Sequence, residues 1–119
     1  MSRHSMIHIT YLYNCPYSEK AEEILRENNI TFNINKIDRH QTNAYTEKHN
    51  FPTFPHITLK DKNDDIMFTI GGCSDLIEFM NTFHKKPLDN NDVDIYMKKY
   101  NTKKHNILRT ISIINNIKK

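Results

Sequence analysis

The sequence predicts an α/β domain with a four-stranded mixed sheet flanked by helices. Short runs of alternating apolar residues, typical of strands, are separated by stretches in which apolar residues recur at helical spacing. The predicted order β-α-β-α-β-β-α begins as a βαβ unit, which gives a parallel strand pair, and ends as a hairpin followed by a helix. With 119 residues, 37% of them hydrophobic, the chain is long enough for one domain and an appendage.

The first half of the chain supplies two strands and two helices. Residues 6–12 form the first predicted strand, and Pro16 suits the first position of the helix that follows, where its missing N–H costs nothing. Residues 31–37 alternate as a second strand, and the polar segment 38–50 holds a short helix. The apolar residues at helical spacing in the first helix are Ala21, Ile24 and Leu25.

The second half predicts a hairpin and a closing helix. A proline-rich loop at 52–55 leads into strand 56–59, and a polar turn at 61–65 connects it to strand 66–70. Ser74 is the predicted cap of the last helix of the domain. The apolar face of that helix is predicted to comprise Leu76, Ile77, Phe79, Met80 and Phe83.

Composition argues against a membrane-spanning or disulfide-rich secreted protein. No apolar run approaches the roughly 18 residues that span a bilayer, and residues 1–5 lack the apolar segment of a secretory signal. The two cysteines, Cys15 and Cys73, are too few for a disulfide-stapled scaffold. We therefore expect a cytoplasmic location or another reducing compartment. The bias toward Asn, Ile and Lys is typical of AT-rich genomes, including those of large DNA viruses, which extends the expectation to a viral host cytoplasm.

Charge divides the chain into two parts, although its net charge is only +3. Residues 1–84 carry eight basic and eleven acidic side chains, whereas residues 85–119 carry nine basic and three acidic ones. We therefore predict a mildly acidic domain at 1–84 and a basic, helical C-terminal extension at 85–119.

The extension contains two amphipathic patterns. The apolar positions of the first are Val93, Tyr96, Met97 and Tyr100, and those of the second are Ile107, Leu108, Ile111, Ile114 and Ile117. Such helices either pack on the domain or form a contact with a partner or a second copy. Nucleic-acid binding is disfavoured, because aromatic residues are thinly interleaved with the basic ones and no base-reading motif is present.

Cys15 lies between the first strand and the first helix, a position that favours a reactive thiol. At a helix N-terminus, the backbone N–H groups and the positive end of the helix dipole favour the thiolate. The thiolate is the nucleophile in thiol–disulfide exchange. The sequence therefore indicates that Cys15 is a redox-active residue.

Three motifs in the same order resemble those of glutaredoxins, which have the thioredoxin fold. Cys15-Pro16-Tyr17-Ser18 is similar to the Cys-Pro-Tyr-Cys active site with its second cysteine changed. Thr53-Phe54-Pro55 is similar to the Thr-Val-Pro loop, and Gly71-Gly72-Cys73-Ser74-Asp75-Leu76 to the Gly-Gly-Cys-x-Asp-Leu turn. The resemblance covers about residues 5–84 and implies a thioredoxin-like fold, to which the C-terminal helical extension is added.

The resemblance also implies that glutathione is the co-substrate. Pro55 would be cis, and the backbone of Phe54 would pair with the cysteinyl part of glutathione, as in β-augmentation. The N–H groups of Ser74 and Asp75 would hold a carboxylate, and the Asp75 carboxylate would accept from the ammonium group. The full set of implied glutathione-binding residues is Pro16, Tyr17, Lys20, Thr53, Phe54, Pro55, Gly72, Cys73, Ser74 and Asp75.

By the same resemblance, Cys15 and Ser18 are the catalytic residues of a monothiol mechanism. Ser18 donates a hydrogen bond to the Cys15 sulfur but cannot resolve a disulfide, which excludes a dithiol mechanism through position 18. Cys15 takes the glutathionyl group from a glutathionylated protein or a small mixed disulfide, and a second glutathione removes it. Cys73 is either a remote resolving cysteine or a small packing residue.

An alternative function is the binding of a 2Fe-2S cluster between two subunits, ligated by Cys15 of each subunit and two glutathiones. Ser18 is compatible with this function, but cluster-binding glutaredoxins usually have Gly or Ser where this chain has Pro16. Apart from Cys15 in that alternative, no metal site is predicted, because the histidines lack ligand spacing. A third alternative is an interaction protein whose function does not need Cys15.

Two positions depart from the glutaredoxin pattern. Leu12 stands where many members have Lys or Arg, and Pro52 stands where Arg or Thr is frequent. The carboxylate of the glycyl end of glutathione therefore needs another cation, and Lys20 and Lys48 are the candidates. His56 follows the Thr-Phe-Pro loop; an ordinary residue of the third strand is the favoured interpretation, and a contribution to the site is the alternative.

Overall fold

The computed structural model describes residues 5–117, which form one four-stranded sheet and five α-helices. The strands are β1 (Met6–Leu12), β2 (Phe32–Ile37), β3 (His56–Lys60) and β4 (Ile66–Gly71). The helices are α1 (Pro16–Glu27), α2 (Thr42–His49), α3 (Cys73–Phe83), α4 (Asn90–Tyr100) and α5 (Lys104–Ile114). A short 3-10 helix, Arg39–Gln41, leads into α2.

The sheet has the strand order β2-β1-β3-β4, with β1 inside it. β1 runs parallel to β2, with Ile9 opposite Ile34, and antiparallel to β3, with Thr10 opposite His56. β3 and β4 form an antiparallel hairpin. The mixed sheet and the flanking helices confirm the fold class predicted from the sequence.

One face of the sheet is apolar and carries the core. Its buried strand residues are Ile7, Ile9, Ile57, Leu59, Phe68 and Ile70. Helices α1 and α3 pack on this face because each has an apolar stripe, with Ala21 and Leu25 on α1 and Leu76 and Phe79 on α3. The opposite face is polar where α2 covers it, and its buried strand residues there include Thr10, His56 and Thr58.

The C-terminal extension contains the two predicted helices, and both pack on the sheet domain. Their fully buried apolar residues belong to the same core as the strands and are Val93, Ile107 and Ile114. Tyr96 of α4 packs edge-to-face on Phe83, with 5.1 Å between ring centroids. Arg109 of α5 donates to the carbonyl of Ser5, just before β1, at 3.4 Å. Residues 1–4 of the predicted domain and residues 118–119 of the predicted extension lie outside the described residues.

Three details of the sequence prediction are corrected by the structure. Gly72, and not Ser74, is the N-cap residue of α3, because the helix begins two residues earlier than expected. Ile77, predicted on the core face of α3, is 37% exposed. Ile117 lies beyond the end of α5 and is exposed. Within residues 5–117, no helix combines the length and apolar character needed to cross a membrane.

We predict that the extension contributes directly to the stability of the fold. Ile107 is fully buried on α5, so Ile107→Ala should lower the free energy of unfolding by about 2–5 kcal/mol, through lost burial and the cavity left behind. Ile95 lies on α4 but is 52% exposed, so Ile95→Ala should change the same quantity by less than about 0.5 kcal/mol. Urea denaturation measures the free energy of unfolding of both variants. Equally small effects of the two substitutions would contradict a core that the extension shares with the sheet.

Candidate functional site

Cys15 is held at the start of α1 by a tight turn after β1. It is the N-cap residue of the helix, with extended backbone angles (φ −107°, ψ 114°), and Pro16 occupies the first turn as predicted. Its N–H donates to the Leu12 carbonyl at 3.2 Å, while Asn14 adopts a positive φ of 63° within the turn. The residue is partly exposed, and its side chain lies at the helix N-terminus.

Ser18 is placed differently from the sequence-based expectation. Its side chain is fully buried, and its hydroxyl accepts a hydrogen bond from the backbone N–H of Leu12 at 3.1 Å. Among the described residues, the predicted bond from Ser18 to the Cys15 sulfur is not formed. Ser18 instead joins the first turn of α1 to the end of β1.

The carbonyl of Phe54 is the group that contacts the Cys15 sulfur. The Cys15 thiol donates to this oxygen at 3.9 Å, a long and weak hydrogen bond even for sulfur. The peptide bond between Phe54 and Pro55 is cis, as the family resemblance implied. Pro55 itself is buried, whereas Thr53 is exposed at the front of the loop.

The turn between β4 and α3 lies next to this loop. Gly71 has a φ of +127°, and a Cβ there would stand 2.2 Å from Asp75 Oδ2, so both the backbone and the space require glycine. Asp75 Oδ2 accepts from the Gly72 N–H at 2.9 Å. A Cβ at Gly72 would lie 3.7 Å from the Pro55 carbonyl oxygen, which shows how closely the two loops approach.

The first turn of α3 presents backbone donors. The N–H groups of Cys73, Ser74 and Asp75 have no acceptor within the helix, since the first helical bond runs from the Leu76 N–H to the Gly72 carbonyl at 3.0 Å. Together with the positive end of the helix dipole, such groups bind anions. The Asp75 carboxylate thus caps Gly72, and the Asp75 N–H is one of the three donors without a helical acceptor.

A pocket of about 710 Å³ joins these segments. Its lining contains nine of the predicted site residues, namely Pro16, Tyr17, Lys20, Thr53, Phe54, Gly72, Cys73, Ser74 and Asp75. The other three predicted residues, Cys15, Ser18 and Pro55, do not line it; Ser18 and Pro55 are buried, and Cys15 is partly exposed next to Pro16. Ile77 also lines the pocket, a residue that sequence reasoning assigned to the core because it shares the apolar spacing of its neighbours.

The two candidate cations have different positions. Lys20 lines the pocket from the second turn of α1, and its charge reaches the thiol of Cys73. Lys48 is exposed on α2 and does not line the pocket. Leu12, which replaces a basic residue of the family pattern, is buried. Lys20 is therefore the lysine available to a ligand carboxylate.

Cys73 lies in the pocket wall but is buried. Burial raises the pKa of its thiol, and the neighbouring Cys15 adds to this effect, while the Lys20 ammonium opposes it. At neutral pH the thiol therefore stays protonated, which is unfavourable for a nucleophile. These observations favour the packing role over the resolving role. Within residues 5–117, no group of three or more His, Cys, Asp or Glu residues is arranged to hold a metal ion.

A chain of hydrogen-bonded side chains lies behind the loop 51–55, on the polar face of the sheet. The Tyr45 hydroxyl donates to Thr10 Oγ1 at 2.9 Å and lies 2.5 Å from His56 Nδ1. His56 Nε2 lies 3.3 Å from Thr69 Oγ1. We call these four residues the polar relay. Burial, together with smaller effects of the charges nearby, lowers the pKa of His56 to about 4, so the imidazole is neutral at neutral pH.

His56 thus supports the site from behind and does not line the pocket. Its position directly after Pro55 was the signal for this role in the sequence, where an ordinary strand residue was favoured, and no pattern indicated its partners. Tyr45 comes from α2, and Thr69 comes from β4. Only the strand register and the position of α2 bring them together.

Comparisons with known proteins agree with this geometry. Residues 7–63 match the family model for glutaredoxin, a range that includes the Cys-Pro-Tyr-Ser and Thr-Phe-Pro motifs. Among solved structures, glutaredoxin 1 from Francisella tularensis, complexed with cacodylate, aligns with a TM-score of 0.54 and 26% identity, over 66% of this chain and 94% of that one. A buckwheat glutaredoxin–glutathione complex aligns with a TM-score of 0.48 and 15% identity, over 68% and 73% of the two chains.

A wheat glutaredoxin aligns with a TM-score of 0.47 and 18% identity, over 64% of this chain and 68% of that one. No curated protein sequence matches the chain. The alignment with the Francisella protein covers nearly all of that structure but only two thirds of this chain. The present chain is therefore larger than that relative.

We predict that His56 makes the stability of the fold depend on pH. Below its ordinary value of 6.5, the unfolded chain binds a proton at His56 that the folded chain does not bind until the pH approaches about 4. The free energy of unfolding should therefore fall by up to about 3 kcal/mol as the pH is lowered through this window. Urea denaturation at a series of pH values measures the slope.

The His56→Gln variant is the control, since it removes this titration whatever its own stability. Its slope between these pH values should be smaller, with the remainder coming from His8, His49 and His84, whose pKa values are also lowered by burial. Identical slopes in the two proteins would show that His56 is not protonated differently on folding.

Proposed function

We propose that this chain, whose residues 7–63 match the glutaredoxin family model, is a glutathione-dependent thiol–disulfide oxidoreductase with a monothiol mechanism. Its substrates are glutathionylated proteins or small glutathionyl mixed disulfides. The observation that carries the proposal is the position of Cys15, partly exposed at the start of α1 beside the pocket, with a fully buried serine at position 18.

The reaction consists of two thiol–disulfide exchanges. The Cys15 thiolate attacks the glutathionyl sulfur of the mixed disulfide, the old S–S bond breaks, and the substrate leaves as a thiolate that takes a proton from water. The thiolate of a second glutathione then attacks the glutathionyl sulfur on Cys15. Glutathione disulfide forms and the Cys15 thiolate is restored. The net reaction converts one mixed disulfide and one glutathione thiol into the free substrate thiol and glutathione disulfide.

The pocket has the groups that a glutathionyl moiety requires. Its volume of about 710 Å³ lies in the range of small-ligand pockets. The free N–H groups of Ser74 and Asp75 suit one carboxylate, and the Lys20 ammonium suits the other. The backbone of Phe54, whose carbonyl lies beside the Cys15 sulfur, suits the cysteinyl part.

The binding of a 2Fe-2S cluster remains the alternative. Each subunit offers one accessible thiol near the pocket, that of Cys15, so a cluster would need two subunits and two glutathiones. No contact in the structure favours this function over the exchange reaction. Visible absorption of protein reconstituted anaerobically with iron, sulfide and glutathione distinguishes the two.

We predict glutathione-dependent reduction of a small glutathionyl mixed disulfide, coupled to glutathione reductase. The wild type and Cys73→Ser should turn over at rates within about twofold of each other, because a buried protonated thiol is a poor nucleophile. Cys15→Ser should lose essentially all turnover. Activity that persists in Cys15→Ser, or that is absent from the wild type, would overturn the proposed function.

We also predict that Lys20 and Lys48 differ in this assay. Lys20→Met should raise KM for the mixed disulfide about five- to tenfold, since one charge-assisted contact to a carboxylate is lost. Lys48→Met removes the same charge on α2 and serves as the matched control, with KM unchanged. A rise of the same size in both variants would indicate a general effect of net charge and not a contact in the pocket.

A further inference from the structure

We propose that the polar relay, formed by Thr10, Tyr45, His56 and Thr69, positions the loop 51–55 and thereby sets the affinity of the pocket for its ligand. The four residues act as positioning residues, because none of them lines the pocket. This inference rests on the proposed function for its kinetic consequence, while the ordering of the loop can be measured separately.

The relay links four elements through one continuous set of hydrogen bonds. Since the Tyr45 hydroxyl donates to Thr10, the neutral His56 ring donates through Nδ1 to the Tyr45 oxygen and accepts from Thr69 through Nε2. Thr10 belongs to β1, Tyr45 to α2, His56 to β3 and Thr69 to β4. The relay therefore fixes α2 against three neighbouring strands.

Both ends of the loop are attached to the relay. The ring of Phe51, at the start of the loop, stacks on His56 with 4.1 Å between centroids and an interplanar angle of 17°. The ring of Phe54 packs on Tyr45 at 5.4 Å. His56 itself is the residue after Pro55, so the loop leaves directly from the relay.

The loop that the relay holds also contacts the Cys15 sulfur. The carbonyl of Phe54 contacts the Cys15 thiol, and Phe54 and Thr53 both line the pocket. A displacement of Tyr45 or His56 is therefore passed to the part of the loop that meets the ligand. Buried polar groups hold such positions firmly, because an unpaired donor or acceptor in the interior is costly.

The same strand offers a matched control. Thr58 lies two residues after His56, is 1% exposed like His56, and has a buried hydroxyl for which no hydrogen-bond partner is found among residues 5–117. Thr58→Val removes a buried hydroxyl outside the relay, and Thr69→Val removes one inside it. Tyr45→Phe removes the central hydroxyl and keeps the ring that contacts Phe54.

The test combines steady-state kinetics with hydrogen exchange on the full chain. With the glutathione–2-mercaptoethanol mixed disulfide as substrate, Tyr45→Phe and Thr69→Val should raise KM about three- to fivefold, with kcat within about twofold of the wild type. Amide exchange in residues 51–56 should accelerate by about tenfold in both variants, while α3 keeps its protection. Thr58→Val should match the wild type in KM and in loop exchange.

Two results would overturn the positioning role. One is uniform acceleration of exchange in all elements with KM unchanged, which indicates a purely structural contribution. The other is the same response in Thr58→Val as in Thr69→Val. If the wild type shows no glutathione-dependent turnover, the proposed function fails, and the exchange of residues 51–56 in the three variants still decides whether the relay orders the loop.

Discussion

A single buried hydrogen bond connects β1, an inner strand of the sheet, to the helix that begins directly after Cys15. The Leu12 N–H is the last donor of β1, and the Ser18 hydroxyl accepts from it at 3.1 Å. Without that acceptor, a donor would be left unpaired in the interior, at a cost of about 1–3 kcal/mol. The bond fixes the start of α1 relative to the sheet, and with it the positions of Cys15 and Lys20.

This bond gives a physical role to the serine at position 18. A thiol is a weaker hydrogen-bond acceptor than a hydroxyl. The residue that removes the second thiol of the family motif therefore also satisfies the end of the strand. The side chain that stands in place of a second thiol thus joins the first turn of α1 to the end of β1.

The two faces of the sheet have different tasks. The apolar face, with α1 and α3 and the helices of the extension, provides the burial that stabilises the fold. The face under α2 places hydrogen-bonding side chains where a core would usually have apolar ones, at Thr10, His56 and Thr58. Such groups contribute less to stability than apolar packing does, but their directional bonds fix positions.

The fold class could be predicted from the sequence, because the alternation within strands, the apolar spacing within helices and the proline at the start of a helix are local properties of the chain. The sequence also identified nine residues of the pocket, because their motifs occupy defined turns. It failed where tertiary contacts decide, as at Ser18, whose partner is the Leu12 backbone, and at Ile77, whose apolar character suits a pocket wall as well as a core. The relay was missed for the same reason, because Tyr45 and Thr69 meet His56 only after the sheet and α2 have assembled.

The place of α5 in the core bears on how the chain folds during its synthesis. Ile107 and Ile114 fill the interior, and Arg109 bonds to Ser5, a partner 104 positions earlier in the chain. Contacts of such large separation form late and slow the search for the native state. Cys15 emerges from the ribosome early, whereas the hydrophobic core is complete only after residue 114 has been translated. Until then the shared core, to which Cys73 also belongs, is incomplete.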